Sequence, residues 1–99
     1  MTPALLAQSA LTDPAPPPDL SPEAQSLWLI KAGRWEEAHQ IAQDLPSRTG
    51  SWLHALLHLI EGDEGNAGYW FARANRPPVS RSGIEAEWDR LAAIILPQA

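Results

Sequence analysis

Apolar residues along the chain recur at i, i+3, i+4 and i+7, and nowhere do they alternate with polar ones at the two-residue period of a strand, which predicts an all-α fold. Residues 3–12 favour helix but are too few to persist alone, so that segment must dock or fray. The run Asp13-Pro-Ala-Pro-Pro-Pro-Asp19 cannot be helical, because each proline restricts its own backbone and that of the residue before it; it reads as an extended spacer. Ser21-Pro22-Glu23 starts a helix running to about Ala32, with Ser21 as cap and Pro22 in the first turn. After Gly33 the next helix, about Trp35 to Leu45, places Trp35, Ala38, Ile41, Ala42 and Leu45 on one face and stops at Pro46. A third is expected from about Ser51 to Glu61, closed by Gly62, and a fourth from about Glu64 to Asn75, capped by Asp63 and ended by Arg76-Pro77-Pro78. Ser82 and Glu85 have capping-box spacing, and Ile84, Trp88, Leu91 and Ile95 predict a last helix to about Leu96. Residues 1–19 are therefore expected as a short helix plus spacer, and 20–99 as a helical domain of antiparallel hairpins, about five to six helices in all.

The pattern repeats. Gly33-Arg-Trp-Glu-Glu-Ala38, followed by Ile41, Ala42, Leu45 and Pro46, returns about 29 residues later as Gly62-Asp-Glu-Gly-Asn-Ala67, followed by Trp70, Phe71, Ala74 and Pro77. A fixed period in this range marks stacked supersecondary units. Gly-x-Trp-Glu-Glu-Ala, with a large apolar residue three later and a proline past the helix end, resembles the start of the second helix of the tetratricopeptide repeat, and the likeness covers residues 22–78. That resemblance implies stacked helical hairpins, a last helix acting as a solvating cap, and a protein or peptide partner. The offset is shorter than the family's period of about 34 residues, and the second copy lacks the aromatic. Two hairpins cannot bury all their apolar faces, so the five Trp are expected to supply the missing core.

Composition narrows the function classes. A net charge of −5, with seven Lys and Arg set singly, offers no basic patch for nucleic acid. No stretch reaches the roughly 18 apolar residues of a membrane span, and no basic region precedes Leu5 and Leu6, so a cytoplasmic protein is the expectation. The chain has no Cys, which removes disulfides, thiolate nucleophiles and Cys-ligated zinc. Ser47, Ser51, Ser80 and Ser82 occupy turn or cap contexts, while Arg34, Arg48, Arg76 and Arg81 stand singly near helix ends with no Gly-rich phosphate loop.

The third helix carries the chemistry. Trp52, Leu53, Ala55, Leu56, Leu57, Leu59 and Ile60 surround more than half of it, making it central and largely buried, and leave a narrow stripe of His54, His58 and Glu61. Two imidazoles at i, i+4 suit a divalent metal, with the carboxylate one turn on as a third ligand. The zinc-protease arrangement is missing, because Ala55 stands where the catalytic Glu belongs. A second Glu/His pair for a dinuclear centre is missing too, His39 being the remaining histidine. The plain alternatives are a solvated helix side or a hydrogen-bonded His pair.

On the fourth helix Asn66, Tyr69 and Arg73 share the side opposite Ala67, Trp70, Phe71 and Ala74, so the two polar stripes are expected to line one shallow groove. The run from Trp52 through His54, His58, Glu61, Asp63, Asn66 and Tyr69 to Arg73 and Ala74 also resembles a segment of small bacterial and fungal proteins to which no activity is assigned. Two functions follow. The favoured one is an interaction module, not an enzyme, that takes a protein or peptide, a second copy, or its own N-terminal helix swung over on the spacer, and needs no cofactor. The alternative is a small ligand- or metal-binding protein or enzyme using His54, His58, Glu61, Asn66, Tyr69 and Arg73. The second copy of the repeat, which departs from the Trp-Glu-Glu pattern and lies beside these residues, is where function is expected.

Overall fold

A computed structural model of the chain describes residues 1–97; the last two positions of the expected 20–99 domain lie outside the described residues. Among the described residues it is all-helical: α1 (Pro3–Thr12), α2 (Pro22–Lys31), α3 (Trp35–Gln43), α4 (Arg48–Ile60), α5 (Glu64–Arg73), a 3-10 turn at Arg81–Gly83, and α6 (Ile84–Ile95). None of these helices is long and apolar enough to cross a membrane.

The helix starts follow their caps. The Ala24 amide donates to Ser21 Oγ at 3.1 Å and the Asn66 amide to Asp63 Oδ1 at 3.2 Å, as the sequence predicts. Helix α4 begins at Arg48 rather than Ser51, because Ser47 is its cap and receives the Gly50 amide at 3.0 Å. The expected capping box before α6 is not formed. Ser82 Oγ pairs instead with Ser80 Oγ at 2.9 Å, and a 3-10 turn leads into the helix.

The repeat is built into the hairpin turns. Gly33 and Gly62 both adopt positive φ, +77° and +88°, a conformation that costs other L-residues about 1–2 kcal/mol. Each closes a Schellman motif of the same pattern: Arg34 N–H to Leu29 O and Gly33 N–H to Ile30 O in the first, Asp63 N–H to His58 O and Gly62 N–H to Leu59 O in the second. The bonded residues correspond one for one at the offset of the sequence repeat. Asn75, at φ +56°, ends α5 in the same way, with Arg76 N–H reaching Phe71 O, so α5 stops two residues short of the expected end. Within the first hairpin Ser26 and Ala38 meet, the Ser26 hydroxyl donating to the Ala38 carbonyl at 3.0 Å in a fully buried contact.

Helix α4 is the axis of the molecule. Every residue from Trp52 to Leu59 is buried, and α3, α5, α6 and α2 all pack against it. Four of the five Trp fasten elements together through the indole N–H: Trp28 to Ser9 Oγ, Trp35 to the Leu57 carbonyl, Trp52 to Glu87 and Trp88 to the Leu27 carbonyl. Arg48 reaches across from α4 to the Ala74 and Asn75 carbonyls that α5 leaves unpaired at its end.

Helix α1 docks on α2 and α6 rather than in the α4–α5 groove, one of the places the sequence left open to it. Leu6 and Ala10, one turn apart, are buried against α2 and α6, and Ser9 accepts from Trp28. The spacer returns the chain along the α2–α3 hairpin, where Arg34 Nη1 donates to the Pro14 carbonyl at 3.4 Å. The α4–α5 face is therefore not occupied by the chain's own N-terminal helix.

Arg76 and Glu87, which carry no motif in the sequence, form the most buried charge cluster. Glu87 on α6 is 0% exposed, and its carboxylate accepts from Trp52 Nε1 at 2.8 Å, Arg76 Nη2 at 2.9 and 3.2 Å and Arg90 Nη1 at 2.8 Å. The Arg76 guanidinium also lies 4.4 Å from the centre of the Trp52 ring. With several donors on one carboxylate, this is a structural clasp joining α4, α6 and the segment after α5.

Candidate metal centre

His54 and His58 are not on a solvated side of α4: both are 7% exposed, because α3 and α5 close over that stripe. A third imidazole joins them from α3. His39 Nε2 lies 3.0 Å from His54 Nε2, and the three histidines each bring a ring nitrogen to within 4.8 Å of the others. His39 belongs to a stripe of its own, Trp35, Ala38, His39 and Ala42 at i, i+3, i+4 and i+7, which turns toward α4. That spacing was the available signal. Reading the α3 face through Ile41 and Leu45 passes over it.

Aromatic rings hold the cluster on both flanks. Trp70 stacks on His54 at 3.9 Å between centroids, and His54 stacks on His58 at 4.8 Å. His39 meets His54 edge-on at 4.7 Å and is backed by Trp35, stacked at 4.7 Å and itself pinned by its bond to the Leu57 carbonyl. Burial, followed by the neighbouring His39 and His58, lowers the pKa of His54 from 6.5 to about 4. At neutral pH this ring is uncharged, the form in which imidazole binds metals.

Glu61, at the end of α4, accepts from His58 Nδ1 at 2.6 Å. A carboxylate can only accept, so Nδ1 carries a proton, and in the uncharged tautomer this leaves the ring lone pair on Nε2. Glu61 also gathers with His58 and Asp63 in a more exposed group at the α4–α5 turn. The remaining expected groove residues stand apart from the imidazoles. Arg73 Nη1 donates to the Tyr69 hydroxyl at 3.2 Å, and this exposed pair flanks Trp70, with the guanidinium 5.3 Å from its ring. Asn66 is exposed, and its backbone N–H is what meets Asp63.

The donor set fits a first-row divalent metal. Ligands at about 2.0–2.1 Å in a tetrahedron stand about 3.3 Å apart, so His39 and His54 are already at ligand spacing and the third nitrogen needs at most about 1.5 Å of closure. An ion held there by His39, His54 and His58 would take the place of the N–H···N bond between His39 and His54, whose donating ring would carry its proton on Nδ1 instead. Compared with protein-family models, curated proteins and solved structures, the chain finds no match in any of the three.

Proposed function

We propose that this protein is a small metal-binding helical module that takes a zinc-like divalent ion between His39, His54 and His58. The observation that carries this reading is the convergence of three ring nitrogens from two helices, two of them on buried residues, with the His58 ring held at Nδ1 by Glu61. Filling this seam with imidazoles, two of them buried, places polar nitrogens where aliphatic side chains would pack without polar cost. Titration calorimetry of untagged full-length chain with zinc is expected to give one equivalent bound with a Kd at or below roughly 1 μM. His39→Ala is expected to weaken binding at least about tenfold, although nothing in the helix-α4 stripe points to it. Unchanged zinc affinity in that variant would contradict the reading.

The interaction-module reading is supported by a different place, and there the tetratricopeptide resemblance bears on it. A cleft of about 460 Å³ opens between the spacer and the α2–α3 hairpin, lined by Pro16, Leu29, Arg34, Glu37, Gln40 and Ile41. Its mixed apolar and charged walls suit an extended peptide. No residue of the cleft belongs to the histidine cluster, so the two readings are compatible.

A further inference from the structure

We infer that the metal centre keeps one exchangeable coordination position that takes a small anion, with Glu61 positioning His58 rather than ligating; this rests on the three-histidine reading above. Three neutral imidazoles neutralise none of the charge of a divalent ion, and two of the three residues are buried while His39 is partly exposed. A fourth donor from the chain itself is hard to supply. The chain contains no cysteine, and among the described residues the carboxylates nearest the cluster, Glu61 and Asp63, gather with His58 but not with His39 and His54. Glu61 is already committed, its Oε1 held by His58 Nδ1 at 2.6 Å. Such a carboxylate behind a ligating histidine fixes the tautomer and raises ligand basicity.

Three protein ligands plus one open position is the arrangement of exchange-competent sites, whereas structural zinc sites are closed by four. The residual positive charge selects hydroxide, azide or a small carboxylate as the fourth ligand.

The test uses full-length protein loaded with cobalt(II) and titrated with sodium azide. The visible absorption of the bound cobalt is expected to change saturably, with one azide per metal. Glu61→Gln is expected to bind cobalt about 10–100-fold more weakly, with one metal per chain and the azide response retained. A cobalt spectrum that azide leaves unmoved would overturn the open position while leaving the three-histidine reading intact. A second azide bound per metal in Glu61→Gln, or a different band pattern before azide is added, would make Glu61 a ligand and overturn its positioning role. Failure to bind cobalt or zinc at all would remove the three-histidine reading itself.

Discussion

Glu87→Ala is expected to destabilise the fold by about 3–5 kcal/mol, the cost of breaking a buried ion pair from one side. The carboxylate is wholly buried and holds Trp52, Arg76 and Arg90 at once, so its removal leaves the Trp52 indole N–H and the partly buried Arg76 guanidinium without their acceptor. A domain of this size has a total stability of about 5–10 kcal/mol, so the loss approaches global unfolding. Glu87→Gln keeps one acceptor oxygen and the shape of the side chain, and is expected to cost about 1–2 kcal/mol. Urea denaturation followed through tryptophan fluorescence separates them: the midpoint should fall steeply for Ala and slightly for Gln at an unchanged slope. An Ala variant within 1 kcal/mol of the parent would mean that the clasp is replaced by water at little cost.

The second large effect is on acid stability. His54 binds its proton with a pKa of about 4 in the folded chain against 6.5 unfolded. Between those values the unfolded state holds more protons, so stability rises with pH across this window. His54's contribution is complete above pH 6.5, is lost as pH falls toward 4, and levels off below that. The shift corresponds to about 3 kcal/mol. The measurement is metal-free denaturation at a series of pH values with a chelator present, comparing the parent with His54→Gln. The parent should show the steeper decline between pH 6.5 and 4, since the variant lacks the titrating ring. Parallel curves would show that the imidazole cluster is hydrated and not held neutral by burial.

Local chemistry is what the sequence made legible. Gly33 and Gly62 announce the hairpin turns because only glycine enters the required backbone region cheaply, and Ser21 and Asp63 announce helix starts because their oxygens meet free amides. The start of α4 was less visible because Ser47 and Ser51 are both competent caps, and Pro46 favours neither. At α6 the Ser82–Glu85 spacing was present, yet Ser82 found Ser80 instead. On the helix-α4 stripe His54 stacks on His58, and His58 bonds Glu61. Whether that stripe met solvent or protein depended on how α3 and α5 close over α4, which no one-helix pattern contains.

His39 and Glu87 mark the two kinds of silence. His39 was within reach of periodicity, one turn from Trp35 on a stripe that also holds Ala38 and Ala42. Glu87 was not, because a carboxylate next to Trp88 looks the same in sequence whether it meets solvent or is claimed by Arg76, 11 residues earlier, and Trp52, 35 residues earlier. Long-range pairing of single residues leaves no spacing to read. The asymmetry between the two repeat copies has a structural counterpart. Trp35, which starts α3, corresponds to Glu64 in α5, and His39 to Gly68, so the first copy supplies the third imidazole while the second supplies the Trp70 wall.

The claim that these three histidines form one metal centre is tested most directly by anomalous diffraction at the zinc absorption edge from crystals of the zinc-loaded, untagged chain. The expected result is a single peak per molecule about 2.0–2.1 Å from one nitrogen each of His39, His54 and His58. A peak on His58, Glu61 and Asp63 instead, or none within the α3–α4 seam, would contradict it.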